Sequence, residues 1–230
     1  MNGNRYPFKR YAYYEIEKKI ANSKIVFLVG PRKSGKTVCL KQLEDNCSNA
    51  IYYDLKGMNL DNKLDAIEKI CEAIKTGEDT LFLIDEFTYA QYPDISLENI
   101  ANAFSDNNES KSKIVITGSQ SFALKNWANT SFCANAEFVD VNFITYSEWL
   151  DYKKISDVSR ESYYEYITST KEFYGFTNVK SYLEATLHET IESNNNAANV
   201  IIGNDVSGLD AEMLLDVLYA AMFSRHDKIS

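Results

Sequence analysis

Short apolar runs alternate with segments of helical periodicity along residues 1–150 of the chain. Several of the runs contain almost no polar positions, which is typical of strands buried on both faces of a sheet, and the last run alternates between apolar and polar residues. The predicted strands are residues 24–29, 50–54, 80–84, 113–117 and 137–143.

Segments with an apolar residue every three or four positions predict helices before and between these strands. The first covers residues 8–22, and we interpret it as a helix packed on the sheet rather than as an aromatic and basic surface for nucleic acid. Further helices are predicted at residues 38–47, 60–77 and 95–104. Because parallel neighbouring strands need crossover connections, the alternation predicts an α/β fold with a mostly parallel sheet and helices on both faces.

The strand signal stops after Leu150, and only helical periodicity follows. The predicted helices in this part are residues 159–171, 179–193 and 209–223. We therefore predict a core domain of residues 1–150 and a helical extension of residues 151–230.

The composition is that of a globular protein, with 45% hydrophobic and 25% charged residues among 230. The apolar run 25–29 is far shorter than the roughly 20 residues that span a membrane, and residues 1–10 contain no apolar stretch typical of a secretory signal. The four cysteines form no CxxC pair and the two histidines are isolated, which disfavours a disulfide framework or a zinc site. We expect a cytoplasmic protein with no membrane partner.

The net charge of −9 is unevenly distributed, with a formal charge of +8 on residues 1–41 and −17 on the remainder. Affinity for nucleic acid is summed over cationic contacts to phosphates, so a chain this acidic is a poor non-specific binder. Nucleic acid as a partner finds support only in the basic first 41 residues. A basic segment of this length also suits a polyphosphate ligand.

Residues 30–37 match the pattern G-x-x-x-x-G-K-[ST] at every fixed position, after a predicted strand and before a predicted helix. This context favours a phosphate-binding loop over an ordinary glycine-rich turn. The two glycines permit backbone angles that a Cβ would block, so that successive N–H groups converge on a β-phosphate. Lys36 then reaches the β- and γ-phosphates, and the Thr37 hydroxyl coordinates Mg²⁺. The predicted nucleotide-binding residues are Gly30, Pro31, Arg32, Lys33, Ser34, Gly35, Lys36, Thr37 and Val38.

Two charged residues, Arg32 and Lys33, occupy variable positions of this loop. We favour the interpretation that both charges are solvated on the outer face of the loop. Additional contacts with phosphate or with a partner are the alternative.

Two carboxylates, Asp85 and Glu86, follow the apolar residues 81–84 directly. At the carboxyl end of a buried parallel strand they lie at the ligand-binding edge of the sheet, and the phosphate loop disfavours the alternative that they merely end a strand. Asp85 is predicted to hold Mg²⁺ through a water, and Glu86 to act as the base that polarises the attacking water. Small-molecule kinases close an arginine-rich lid on the phosphates, whereas this chain has five scattered arginines, so we favour hydrolysis.

The strand 113–117 runs directly into polar residues, among them Ser119 and Gln120. If this strand lies between the phosphate-loop strand and the acidic strand, its end faces the γ-phosphate. Thr117, Ser119 and Gln120 are then candidates to hydrogen-bond the γ-phosphate or the attacking water, and of these we choose Ser119 as the γ-phosphate sensor. Capping of the next helix by Ser119 or Ser121 is an equally favoured alternative.

As a set, these segments resemble the P-loop ATPases of the AAA+/STAND type. More narrowly they resemble the archaeal-type prokaryotic ATPases that carry a C-terminal nuclease-like domain. The segments that carry the resemblance are Gly-Pro-Arg-Lys-Ser-Gly-Lys-Thr (30–37), Leu-Ile-Asp-Glu (83–86), Ile-Thr-Gly-Ser-Gln-Ser (116–121) and Phe-Ile-Thr-Tyr-Ser-Glu-Trp (143–149). The resemblance covers residues 8–150. It implies a three-layer P-loop NTPase fold with a five-stranded sheet of order 5-1-4-3-2, ATP rather than GTP, and Mg²⁺.

Two departures from that family limit what the resemblance implies. Its members usually carry a Gly-Arg pair before the fifth strand, a candidate arginine finger, where this sequence has Ala134 and Asn135. Loss of such an arginine lowers turnover by a factor on the order of 10³–10⁵. In addition, a helix that resembles the start of the family's winged-helix region is soon followed by Ser230, so the nuclease-like half is absent from these residues.

The predicted function is that of a Mg-ATP-binding P-loop ATPase with low intrinsic turnover. Its nucleotide state is expected to reposition residues 151–230 or a partner. The expected partner is a protein or the missing C-terminal half. The alternative is a nucleotide-gated binding module without useful hydrolysis.

Overall fold

The computed structural model of the chain describes residues 6–132 and 136–174. Within these residues the strands are β1 (Ile25–Val29), β2 (Ala50–Asp54), β3 (Leu81–Asp85), β4 (Lys113–Thr117) and β5 (Glu137–Asp140). The helices are α1 (Tyr11–Asn22), α2 (Lys36–Asn46), α3 (Leu60–Thr76), α4 (Pro93–Asp106), α5 (Ser121–Phe132), α6 (Tyr146–Lys153) and α7 (Arg160–Tyr174). A short 3₁₀ turn, Phe87–Tyr89, follows β3.

The strands form one five-stranded parallel sheet in the order β2-β3-β4-β1-β5. This is the predicted order 5-1-4-3-2 counted from the opposite edge, so the predicted topology is confirmed. Leu28 of β1 lies beside Thr117 of β4 and Val139 of β5, and β4 in turn pairs with β3. The carboxyl ends of β1, β3 and β4 therefore meet at one edge of the sheet.

The central strands contribute alternate side chains to two separate cores. On one face, Phe27, Ile84 and Ile116 pack with residues of α3, α4 and α5. On the other face, Leu28 and Leu83 pack with residues of α1 and α2. Both faces of the sheet are thus covered by helices, which confirms the predicted three-layer architecture.

The observed elements differ from the predicted ones mainly at their ends. β5 ends at Asp140 rather than at residue 143, because its neighbour β1 ends at Val29 and offers no further residue to pair with. The last hydrogen bond between the two segments runs from the N–H of Val141 to the Val29 carbonyl, at 2.7 Å. α5 was expected only as a helix after Ser121, without bounds, and α6 was not predicted, since its eight residues are too few for a clear hydrophobic period.

α1 begins at Tyr11 rather than at residue 8. The amide of Gln42 on α2 donates hydrogen bonds to the carbonyls of Tyr6 and Phe8, at 2.9 and 2.6 Å. These carbonyls are therefore engaged by a neighbouring helix instead of by the next turn of their own. The segment before α1 is held against α2, close to the phosphate loop.

Contacts divide the chain into two compact units, residues 1–166 and 167–230. The sheet and all the residues of the site described below belong to the first unit. The predicted helices at 179–193 and 209–223 lie outside the described residues. The domain boundary between residues 150 and 151 stays a prediction.

Candidate nucleotide-binding site

The loop between β1 and α2 adopts backbone angles that require glycine at two positions. Gly30 has φ = 141° and Gly35 has φ = 100°, in the region that side chains disfavour. A Cβ on Gly30 would lie 2.2 Å from the carbonyl oxygen of Val141, so the residue after β5 also excludes a side chain there. The loop leads directly into the N-terminus of α2, where the helix dipole attracts anions.

The ammonium group of Lys36 lies inside the loop to which this residue belongs. It donates hydrogen bonds to the carbonyls of Gly30 and Pro31 at 3.0 and 2.8 Å. Burial lowers the pKa of Lys36 to about 8, although the nearby Glu86 and Asp85 carboxylates act in the opposite direction. The loop thus holds a desolvated cation that gains strongly from an anionic ligand.

Asp85, at the end of β3, is joined to the phosphate loop by a hydrogen bond with the Thr37 side chain. From β2, the Tyr52 hydroxyl donates a hydrogen bond to Oδ2 of Asp85 at 2.8 Å. Burial raises the pKa of Asp85, and the hydrogen bonds from Thr37 and Tyr52 oppose that shift. Tyr52 was not predicted as a site residue, because nothing in the pattern of β2 marks this tyrosine as a partner of β3.

Glu86 lies next to the end of β4, in a left-handed backbone conformation with φ = 51°. Its Oε2 accepts a hydrogen bond from the N–H of Ser119 at 3.1 Å, and the Ser119 hydroxyl lies 3.3 Å from the Thr88 hydroxyl. Burial raises the pKa of Glu86 above its usual value. A hydrogen bond from Ser119 and the charges of Arg32 and Lys36 oppose that rise. The acidic strand end and the polar strand end are therefore in direct contact.

The hydroxyl of Ser121 joins the end of β4 to the start of the phosphate loop. It accepts a hydrogen bond from the Gly30 N–H at 2.9 Å and donates one to the Gly30 carbonyl at 3.0 Å. From the sequence, Ser121 was a candidate only for a helix cap. Its contact with Gly30 depends on the adjacency of β4 and β1, which the sheet order provides.

A family model described as an AAA domain matches residues 22–150. The chain belongs to this AAA domain family. The matched part of the AAA domain begins just before β1 and contains the phosphate loop, the acidic end of β3 and the polar end of β4. This agrees with the P-loop ATPase type that the sequence motifs predict.

Solved structures similar to this AAA domain include the Walker-type ATPase PABY2304 of Pyrococcus abyssi. The two share 16% identity, with a TM-score of 0.54 over 84% of this chain and 76% of the other. DnaA bound to AMPPCP and single-stranded DNA shares 15% identity, with a TM-score of 0.43 over 89% and 73% of the two chains. AMPPCP-bound DnaA from Aquifex aeolicus shares 12%, with a TM-score of 0.42 over 90% and 73%. At these values only the first similarity bears on the fold, and none bears on function. No curated protein matches the chain.

The variable positions of the loop differ in exposure. Arg32 is only 8% exposed, and its charge lowers the pKa of both Glu86 and Lys36. The interpretation of Arg32 as a solvated charge is therefore wrong, because the guanidinium lies within electrostatic reach of the site. Lys33 is exposed, as expected. Of the remaining predicted loop residues, Pro31 is exposed, Ser34 is buried and Val38 is half-buried.

The residues of the AAA domain fit a magnesium ion better than a metal held wholly by side chains. Among residues 6–132 and 136–174, no group of three or more His, Cys, Asp or Glu side chains could hold a metal ion. Thr37 and Asp85 instead offer one hydroxyl and one carboxylate within hydrogen-bond distance of each other. Mg²⁺ is commonly bound by one or two such oxygens together with substrate phosphates.

In the part of the chain that the structure describes, residues 6–132 and 136–174, no helix is both long and apolar enough to cross a membrane.

An ion pair that the sequence analysis missed lies against the phosphate loop. Arg10 and Glu148 form a bidentate pair, with Nε–Oε1 and Nη2–Oε2 distances of 2.9 and 3.0 Å. Glu148 also completes a capping box with Thr145 at the start of α6. The T-x-x-E spacing of that box is readable in the sequence. Its pairing with Arg10, 138 residues away, is not.

We expect Glu148→Gln to lower the free energy of unfolding by about 3 kcal/mol at pH 7, because it leaves the largely buried side chain of Arg10 without its counter-charge. Burial alone raises the pKa of Glu148, but hydrogen bonds from Arg10 and from the Tyr11 N–H outweigh it and hold the pKa below 4.5. The stabilisation is therefore fully present above the unfolded-state pKa and is lost as the pH falls through the lower folded-state value.

Urea denaturation of the wild type and of Glu148→Gln between neutral and acidic pH checks this expectation. The two free energies of unfolding should converge in acid, where protonated Glu148 resembles glutamine. A difference that stays constant with pH would show that the charge of Glu148 is not what stabilises the fold.

Proposed function

We propose that this AAA domain binds Mg-ATP at residues 30–38 and hydrolyses it slowly, and that its nucleotide state repositions residues 151–230 or a protein partner. The observation that carries the proposal is the hydrogen bond between Thr37 and Asp85, which joins the phosphate loop to the acidic end of β3. A glycine-rich loop alone suits any phosphate-bearing anion. The adjacent Asp-Glu pair adds groups that suit a divalent ion and an attacking water.

Each side chain has a separate task in the proposed reaction. Lys36 and the N–H groups of the loop neutralise the charge on the β- and γ-phosphates. Thr37, and Asp85 through a water, would hold a Mg²⁺ ion, which would supply further charge neutralisation when bound. Glu86 orients the attacking water and accepts its proton, and Ser119 donates a hydrogen bond to the γ-phosphate.

The low intrinsic turnover follows from the residues before β5, where Ala134 and Asn135 stand in place of an arginine. A partner that supplies an arginine would raise the rate by a factor on the order of 10³ or more. That partner is a protein or the nuclease-like half of the resembled family. Nucleic acid cannot supply an arginine, and as a binding partner of another kind it is a weaker candidate because of the acidic net charge of −9.

The second candidate function is a nucleotide-gated binding module without useful hydrolysis. It is favoured by the same missing arginine and by the hydrogen bond that holds Glu86 Oε2 to the Ser119 N–H. The hydrogen bond lowers the proton affinity of the Glu86 carboxylate and so makes it a weaker base, although Oε1 still has lone pairs for a proton. The enzyme remains the better proposal, because a pure binding module has no need of a glutamate at this position.

A single-turnover assay separates the two candidates. Protein in excess over γ-labelled Mg-ATP is incubated, and labelled phosphate is measured against a protein-free blank, with and without DNA at low salt. We expect slow phosphate release that exceeds the blank and does not respond to DNA. Bound ATP that is never cleaved would favour the binding module, and absence of binding would overturn the proposed function.

A further inference from the structure

Arg10 connects the phosphate loop to parts of the chain that are distant in sequence. Its Nη1 donates to the carbonyl of Ser34 in the loop at 2.9 Å. Its Nη2 donates to the carbonyl of Asn142, after β5, at 2.8 Å. The Arg10 side chain is only 13% exposed, and its contact with the loop is partly buried, whereas its contact with Asn142 is exposed.

Glu148 fixes the plane of the Arg10 guanidinium. The bidentate pair uses Nε and Nη2, which leaves Nη1 directed at the loop. The carboxylate is itself held, since its Oε1 accepts from the N–H of Tyr11 at 2.7 Å and its Oε2 from the N–H of Thr145 at 3.3 Å. Such a fork cannot be reproduced by the single ammonium of a lysine.

The peptide that Arg10 contacts joins Ser34 to Gly35, one of the two glycines of the loop with positive φ. In a trans peptide, the carbonyl and the following N–H point in opposite directions. The hydrogen bond to the Ser34 carbonyl therefore also sets the direction of the Gly35 N–H, away from the guanidinium. Gly35 has no Cβ to restrict its φ, which is 100°, so a rotation of this peptide meets little intrinsic resistance.

The other end of the loop is held by different groups. Lys36 bonds the carbonyls of Gly30 and Pro31, and Ser121 bonds both backbone groups of Gly30. These contacts do not include the peptide between Ser34 and Gly35. Arg10 thus complements the side chains that hold the first half of the loop.

We propose that Arg10, oriented by Glu148, is a positioning residue for the phosphate loop. It holds the peptide between Ser34 and Gly35 so that the Gly35 N–H is directed at the phosphate of a bound nucleotide. The inference rests on the proposed nucleotide binding at this loop. Because α6 supplies Glu148, the start of α6 and the phosphate loop are held by one guanidinium.

The test compares Arg10→Gln with a matched control, Lys19→Met. Lys19 also tethers α1 to the β5 side of the molecule, through an ion pair with Glu137 at 2.7 Å, but none of its hydrogen bonds reaches the loop. Mg-ATP affinity is measured by calorimetry. In parallel, the ¹⁵N–H resonances of Gly30 and Gly35 are recorded in the nucleotide-free proteins.

We expect Arg10→Gln to bind Mg-ATP about tenfold or more weakly, as when one hydrogen bond to a charged group is lost. The Gly35 resonance should shift or broaden while that of Gly30 stays in place, and Lys19→Met should change neither the affinity nor the resonances. If Arg10→Gln does not fold, Arg10→Lys keeps the charge but not the fork, and the same changes are expected for it.

Affinity within twofold of wild type together with an unmoved Gly35 resonance would overturn the inference, and Arg10 would then be only a structural ion pair. An equal loss of affinity in Lys19→Met would also overturn it, since any tether of α1 would then suffice. If wild-type protein fails to bind Mg-ATP, the proposed function fails instead. The Gly35 resonance, measured without nucleotide, still decides whether Arg10 orders the loop.

Discussion

Lys36→Ala should bind Mg-ATP at least about a hundredfold more weakly than the wild-type protein, which makes binding undetectable at ordinary concentrations. Hydrogen bonds to charged groups contribute about 1.5–3 kcal/mol each, and the Lys36 ammonium is expected to make two of them to phosphate oxygens. The loss should be large because Lys36 is only 7% exposed, and a buried ammonium gains more from an anionic ligand than a solvated one. Isothermal titration of Mg-ATP and Mg-ADP into both proteins measures the difference.

The matched control is Lys18→Ala, which removes the same charge from an exposed position on α1 within the basic first 41 residues. Its nucleotide affinity should remain within about twofold of wild type, because an exposed charge is screened by salt. A urea titration of Lys36→Ala verifies that the fold is intact, since Lys36 also bonds the carbonyls of Gly30 and Pro31. Equal ATP affinity in Lys36→Ala and wild type would show that residues 30–37 are not a phosphate-binding loop.

Glu86→Gln should retain Mg-ATP affinity within a few-fold and lose a factor of about 10²–10⁴ in single-turnover hydrolysis, the contribution expected of a general base. Glutamine is nearly the same size as glutamate, and its amide oxygen still accepts the hydrogen bond from the Ser119 N–H. What it lacks is the capacity to take a proton from the attacking water. Phosphate release and nucleotide binding are measured on the same preparation.

Glu72→Gln serves as the matched control, because it makes the same chemical change at an exposed position on α3. Its turnover should equal that of wild type. If Glu86→Gln hydrolyses ATP at the wild-type rate, Glu86 is not the base. If wild-type protein binds ATP and neither protein hydrolyses it, the nucleotide-gated binding module is the better description.

The strands and the loop were predictable because the signal for each is carried by contiguous residues. Residues of β3 are apolar at successive positions since both faces of that strand are covered, and Gly30 and Gly35 mark places where the backbone excludes a Cβ. The proximity of Asp85 to the loop followed from the rule that ligands bind at the carboxyl ends of parallel strands.

The failures have equally physical causes. Arg32 is a charged residue in a loop, and such residues are usually solvated, yet the fold buries it near Glu86. Ser121 was weighed as a cap because its sequence neighbours suggest a helix start. Its position beside Gly30, 91 residues away in the sequence, depends on the pairing of β4 with β1.

The sequence by itself determined that this protein is a parallel α/β domain with a phosphate-type loop followed by an acidic strand end, because periodicity, glycine placement and motif spacing are local properties of the chain. Only the tertiary structure decided which distant groups hold that loop and that carboxylate. Tyr52 reaches Asp85 across 33 residues, and Arg10 reaches Glu148 across 138. Such pairs depend on strand order and helix docking, which arise from the burial of many apolar side chains at once. No local sequence pattern around the two polar residues therefore indicates that they are partners.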